Sequence, residues 1–257
     1  MKNLNLRMNL GVILRVILIS LLGSGALVLE AGGAELDVAK LIKRADEARM
    51  PEMDTSVMVQ IIDYREQRVV HETKYKVLSK GSDSSLVETV FPDRQKGRKL
   101  LMKKDDLWFF TPDIKRPTRV SMQQRLTGEV SYGDIARTNF AGDYDAKFVS
   151  DEEVAGKKCH KLDLKANREG VTYSRIVYWL SLDKETMPVQ AEFYAVSGKL
   201  LKRAIYQEPK PILGRSRVTK VTIEDAVEKS KQSVMVYSNH KLEKLDPSIF
   251  NKDSMVN

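Results

Sequence analysis

With 257 residues, 42% of them hydrophobic and 30% charged, the chain has the makeup of a globular protein, which excludes a disordered or collagenous polypeptide. Its 43 Lys and Arg exceed its 35 Asp and Glu, but no run of five or more basic residues occurs, so a nucleic-acid partner is not expected. The single cysteine, Cys159, excludes an intramolecular disulfide and leaves stability to the core.

At the N-terminus Lys2 and Arg7 precede the apolar stretch LGVILRVILISLLGSGALVL, and the small-residue segment EAGGAE follows. This is the layout of a secretory signal peptide, predicted over residues 1–34 with cleavage after Ala34. The uninterrupted apolar part, Val16 to Leu29, is short against the roughly 20 residues a spanning helix needs. Loss of Lys2, Arg7, Arg15 and Glu30 would leave 40 basic and 34 acidic side chains, a mild and interspersed excess. The exported product, residues 35–257, is expected to be soluble, with anionic lipid or an acidic partner still open.

From Glu35 to Arg49 the apolar residues Leu36, Ala39, Leu41, Ile42 and Ala45 recur at helical spacing, and Pro51 stands just beyond, which predicts a short amphipathic helix. From Thr55 the pattern changes to short β-branched and aromatic runs, among them TSVMVQIIDY, VVHETKYKVLS, SSLVETVF and DLWFF, separated by turns such as DYREQR, KKDD, NREG and SG. Such spacing without long helices between predicts an antiparallel meander and a mainly β fold. In the run from Val171 to Leu182, Ile176, Tyr178, Leu180 and Leu182 share one face. In LWFF, Trp108 and Phe110 fall on one face and Leu107 and Phe109 on the other; the first pair is taken as the interior one.

The segment from Ser121 to Phe140, SMQQRLTGEVSYGDIARTNF, lacks period-2 alternation. Helical turns are predicted at Ser121 to Leu126 and at Tyr132 to Ala136, and Met122, Leu126, Val130, Ile135 and Phe140 need cover. An insertion of this size in a meander is where a lid or binding loop sits.

Catalytic chemistry finds no support in the residues. His71, His160 and His240 are scattered without metal-ligand spacing, and there is no nucleophile elbow, phosphate loop or dinucleotide fingerprint. Neither an enzyme nor a cofactor is expected. A large sheet with so little helix to cover it either encloses a cavity for an apolar ligand or is filled by its own side chains; the pattern leaves both open.

Four features in order carry a resemblance: DLWFFTPDIKRPTRVS, then QQRLTGEVSYGDIA, then the VAGKKCHKLDL hairpin at Val154 to Leu164, then the Tyr178 to Val189 strand with its Pro-containing successor. From about Ala45 to Phe250 the chain resembles the outer membrane lipoprotein-sorting proteins, the LolA-like periplasmic carriers. The resemblance implies an incomplete antiparallel β-barrel, here of about 10–11 strands, in one domain over residues 35–257 with a helical lid near 121–140. It also implies a monomeric, non-catalytic periplasmic carrier that holds acyl chains of lipoproteins or another lipid in an apolar cavity under the lid on the way to the outer membrane. The partners implied are an inner-membrane transporter and an outer-membrane acceptor. An adaptor or lipid sensor of similar fold is the alternative. On this reading Trp108, Phe110, Tyr178, Leu180 and Phe193 are wall candidates and Met122, Leu126, Tyr132 and Ile135 lid candidates. Lys115, Arg116 and Arg119 would be rim contacts for headgroups or an acidic acceptor.

Overall fold

The computed structural model describes residues 36–114 and 116–256; the signal peptide expected over residues 1–34, and Lys115, lie outside them. Helix α1, Val38–Arg49, starts where the Asp37 side chain accepts from the Lys40 backbone N–H at 3.0 Å and buries Ile42, Ala45 and Ala48. The cap at Asp37 fixes the entry, so the helix begins three residues later than the apolar spacing suggested.

Strands follow as β1 Thr55–Arg65, β2 Arg68–Lys80, β3 Ser84–Phe91, β4 Lys99–Lys103, β5 Asp106–Phe110 and β6 Thr118–Arg119. A small hairpin, β7 Arg125–Thr127 and β8 Val130–Ser131, leads to helices α2 Tyr132–Ala136 and α3 Phe140–Asp143. The second strand series is β9 Tyr144–Val154, β10 Lys157–Ala166, β11 Arg175–Ser181, β12 Pro188–Tyr194, β13 Leu200–Ile212, β14 Arg215–Asp225 and β15 Lys231–Leu242.

Among the described residues, thirteen of these strands form one antiparallel sheet in the order β6-β5-β4-β3-β2-β1-β15-β14-β13-β12-β11-β10-β9. The fold is mainly β, a large open antiparallel sheet with few short helices. Pieces as short as the two-residue β6 join the ladder, which carries the count past the ten or eleven expected. Neighbours in sequence are neighbours in space except at β1 and β15, which meet in the middle of the sheet. The edges β6 and β9 do not pair. The chain therefore leaves one edge and reaches the other through residues 120–143, so the segment that lacked alternation is by topology the one that spans the opening. The sheet is curled enough that the β4–β5 turn reaches the β10–β11 turn: Arg168 pairs with Asp105, and Arg137 donates to the Lys104 carbonyl at 2.9 Å.

The hairpin turns follow the chemistry of their residues. Glu66 and Gln67 take φ of 50° and 63° between β1 and β2, and Lys104 a φ of 56° between β4 and β5. Positive φ at a two-residue turn matches the right-handed twist of the strands it joins.

The concave face, lined by Val57, Val59 and Ile61 of β1, Leu162 and Leu164 of β10 and Ile176, Tyr178 and Leu180 of β11, forms the main core with α1 and residues 122–140. A second cluster lies on the convex face, where Leu245, Phe250 and Met255 of the C-terminal segment cover Leu101, Trp108 and Phe110. A third buries Cys159, Val177, Trp179 and Val189. Both faces of the sheet are thus apolar in places, and β11 is buried on both. Among the described residues no helix is long and apolar enough to cross a membrane.

Candidate functional site

Three of the five predicted wall residues, Tyr178, Leu180 and Phe193, lie in the concave core, exposed by no more than 3%. Over them sit all four predicted lid residues: Met122 and Ile135 are buried in the same cluster, and Leu126 and Tyr132 pack against it. The rings of Tyr132 and Phe109 are 5.9 Å apart, which ties α2 to β5, next to the sheet edge.

Trp108 and Phe110 are placed otherwise. They face the convex side, under the C-terminal segment, and Leu107 and Phe109 are the pair that faces the concave core. In the register Trp108 stands opposite Arg119 and Phe109 opposite Thr118, and directly opposed residues share a face. Arg119 accordingly projects on the convex side, where it pairs with Asp106 at 2.5 Å, and does not line the concave interior. Arg116 is exposed in the β5–β6 connection.

The first half of the lid also differs from expectation. Residues 121–126 do not form a helical turn; Arg125–Thr127 enters the β7–β8 hairpin, whose turn has Gly128 at φ +47°. The second half, Tyr132–Ala136, is the predicted helical turn, started by a capping box in which the Asp134 carboxylate accepts from the Ser131 backbone N–H at 2.7 Å.

Beside the burial of Met122, Val130 and Ile135, polar contacts hold this segment down, and they come from inward-facing positions of apolar strands. In β1 the inward series Val57, Val59, Ile61 continues to Asp63, buried and directly across from Ser233 of β15. Asp63 accepts from Ser233 Oγ and from Thr127 Oγ1, each at 2.5 Å, while Ser233 Oγ accepts from the Glu129 backbone N–H at 2.8 Å. The hairpin tip therefore rests on a cross-strand pair. In β13 the inward series Lys202, Ala204, Tyr206 begins with a lysine exposed by only 5%. Its ammonium donates to the Glu129 carbonyl at 2.7 Å, Ser131 Oγ at 3.3 Å and Asp134 Oδ2 at 2.6 Å, all on the lid.

Helix α1 adds a third clasp. The Asp46 carboxylate accepts from the Ala141 backbone N–H at 2.8 Å, and the Arg49 guanidinium stacks 4.2 Å from the centre of the Phe140 ring. Arg49 lies 3.8 Å from Asp46. A network of Arg137, Asp143 and Arg168 closes the far end, with Asp143 accepting from both arginines at 2.5–2.8 Å.

None of Asp63, Lys202, Arg49 or Asp143 was singled out in the sequence. The legible signal for the first two was a charged residue in phase with an inward apolar series, an arrangement retained only when a partner compensates it.

Burial pushes the Asp46 carboxyl up to about 6, with Arg49 and the Ala141 and Phe140 backbone opposing it. The folded protein thus holds the Asp46 proton more tightly than the unfolded chain, whose carboxyl titrates near 3.8. Stability from this residue is fully present below that value and is lost as pH rises through about 6. Denaturant midpoints measured from pH 4 to 7 should fall across this window, and Asp46→Asn should flatten the fall.

Among the described residues the interior beneath 122–140 is filled by side chains of the sheet, α1 and this segment, so the structure shows no open apolar cavity where one was expected. The space left among Arg49, Ile135, Val218, Val221 and Tyr237 is about 10 Å³, and that among Arg49, Phe140, Tyr144 and Tyr173 about 20 Å³. Those are volumes for about one water each, far below the roughly 300 Å³ of a small ligand site. Two larger clefts lie at the lid margins, and a third of about 460 Å³ lies away from the lid, beside Arg44, Lys184, Pro211 and Arg215. One of about 260 Å³ lies between α1, the β2–β3 turn and α2–α3; another of about 460 Å³ lies between the lid hairpin and the ends of β11 to β13. Among the described residues no cluster of His, Cys, Asp or Glu is placed to hold a metal.

Comparison with known proteins fits this architecture. A family profile described as "Uncharacterized protein" matches residues 81–257, and no curated protein matches the chain. A LolA superfamily protein from Nitrosomonas europaea is 39% identical, with a TM-score of 0.78 over 84% of this chain and 97% of its own. Two further structures share the fold at lower identity. A domain named for outer membrane lipoprotein sorting from Vibrio parahaemolyticus is 20% identical, with a TM-score of 0.72 over 85% of this chain and 98% of its own. A DUF1329 family protein from Desulfovibrio piger is 23% identical, with a TM-score of 0.73 over 84% and 97%. The chain belongs to the LolA superfamily.

Proposed function

We propose that the protein is a periplasmic carrier, exported by its N-terminal leader as a single domain from residue 35, that takes acyl chains of lipoproteins or another lipid into the concave face and ferries them toward the outer membrane. The observation that supports this most is the layering of the lid on the sheet. Residues 122–140 are one segment laid over a largely apolar face, packed on it by Met122, Val130 and Ile135 and fastened by polar clasps at Asp63, Lys202 and Asp46. A contiguous segment set on a sheet in this way can lift as a unit. The apolar surface it uncovers would then be offered to chains that gain about 0.8 kcal/mol per CH₂ on leaving water. Since the closed interior is full, loading requires residues 122–140 to move, and the chain that enters takes the place of lid side chains such as Met122, Leu126, Tyr132 and Ile135. Tyr178, Leu180 and Phe193 would form the wall, with Leu107 and Phe109 beside them. The fold carries no catalytic constellation in this reading; the partners are a donor transporter in the inner membrane and an acceptor at the outer membrane.

Lipid extraction and mass spectrometry of the purified protein, together with transfer of labelled lipid between donor and acceptor vesicles, test the proposal. Co-purifying lipid and protein-dependent transfer are expected. A protein that neither carries nor transfers lipid, yet captures a stoichiometric membrane partner in its absence, would be the adaptor.

A further inference from the structure

The Lys202 clasp has a chemistry of its own. Two donors that belong to the sheet and its flanking turn, Lys202 Nζ and Tyr173 Oη, both point at one lid carboxylate: Lys202 donates to Asp134 Oδ2 at 2.6 Å and Tyr173 to Asp134 Oδ1 at 2.7 Å. The ammonium also lies 5.1 Å from the Tyr173 ring and 5.9 Å from the Phe193 ring, and those two rings are 4.3 Å apart. A cation and a hydroxyl converge on an anion over an aromatic floor, and the anion is part of the lid. Both donors line the 460 Å³ cleft that opens to solvent beside Gln123, Arg125, Ser131 and Leu201.

When the lid lifts, its carbonyl at Glu129, its Ser131 hydroxyl and its Asp134 carboxylate leave together, and Lys202 loses the three acceptors that hold it. Asp225 of β14, directly across from Lys202, stays on the sheet, with its carboxylate accepting from the Val227 and Glu228 backbone N–H groups; Glu129 departs with the hairpin, as does the cation Arg125. An ammonium that loses three close acceptors at the margin of an apolar surface favours the arrival of a new anion.

We propose that Lys202 and Tyr173 form the receptor for an anionic headgroup, phosphate first, on an acyl-chain ligand, and that Asp134 occupies that receptor while the lid is closed. The inference rests on the carrier reading above and deepens it: cargo would be selected by charge at the cleft as well as by its chains. Arrival of the headgroup displaces Asp134 and so favours the open lid, and departure of the ligand returns the carboxylate to its donors.

The test compares two lipids with the same acyl chains, dioleoyl-phosphatidylglycerol and dioleoylglycerol, with inorganic phosphate as a third arm. Bound lipid is measured after incubation of the purified protein with vesicles containing each. The wild type should favour the phosphate-bearing lipid by at least about tenfold, the worth of one hydrogen bond to a charged group. Lys202→Gln and Tyr173→Phe should each lower the ratio of phosphatidylglycerol to dioleoylglycerol bound, a ratio in which any loosening of the lid acts on both lipids alike; Lys202→Arg should retain it, and Asp134→Asn should raise it. If neither lipid binds the wild type, the carrier reading itself fails. If both bind equally, or if Lys202→Gln keeps the preference, the carrier reading survives and the headgroup receptor is overturned. Inorganic phosphate that binds as tightly as the phospholipid would overturn assignment to a lipid headgroup. Should Lys202→Gln fail to fold, as a melting curve would show, Tyr173→Phe, which keeps the ring in place, decides the matter.

Discussion

Replacing Asp143 with alanine is expected to lower folding stability by about 3–5 kcal/mol, seen as a drop in the denaturant midpoint at unchanged slope. The carboxylate is exposed by only 4% and receives the Nε and Nη2 of Arg137 at 2.5 and 2.7 Å and the Nε of Arg168 at 2.8 Å. Its removal leaves two guanidiniums side by side, one of them largely buried. The loss comes from that uncompensated charge more than from the contacts themselves, since buried ion pairs roughly balance their own desolvation. A double variant with Arg137→Ala should therefore lose clearly less than the two single variants added together. Additive losses would mean that the three residues do not act as a unit.

Gly128→Ala should act on the lid almost alone. A Cβ at this position would lie 2.0 Å from Asp63 Oδ1 and 2.4 Å from Ser233 Oγ, and the backbone is already at φ +47°. The left-handed conformation costs a non-glycine residue about 1 kcal/mol or more, and the overlap cannot be relieved without lifting the hairpin tip off its cross-strand pair. Amide hydrogen exchange at residues 123–136 should accelerate by at least about tenfold while the strands of the sheet keep their protection. Uniform loss of protection would instead show that the hairpin is an integral part of the sheet's cooperative unit. In the carrier reading, the same variant should load and release lipid faster.

The sheet itself was legible because each strand could be read locally. Alternation, β-branched runs and turns such as DYREQR and KKDD belong to neighbours in sequence, and nearly all the pairing in this sheet is between such neighbours. The choice within LWFF was not local. Alternation separates Trp108 and Phe110 from Leu107 and Phe109, but the pair that faces the main core depends on Leu245, Phe250 and Met255, which arrive from the far end of the chain to cover the convex side. The lid hairpin escaped for a similar reason: RLTGEV turns at Gly128 because Asp63 and Ser233 wait beneath it. Lys202 read as one more surface charge among many, and only the register of β12 and β13, with Phe193 opposite Lys202, shows that it faces inward.

The position of β15 has a consequence for assembly. Strands β1–β6 form one meander and β9–β15 another, and they become a single sheet only along the seam between Thr55–Arg65 and Lys231–Leu242. Closing so long a stretch of chain carries a loop-entropy cost that pairing within each meander does not, so the central joint is expected to zip after the outer strands, as pulse-labelled amide exchange during refolding would show. Asp63 and Ser233, the pair that receives the lid, stand on opposite sides of that joint. Before the joint forms, the lid has no complete seat; its closure is tied to the order of folding, and the molecule cannot shut until the sheet beneath it is finished.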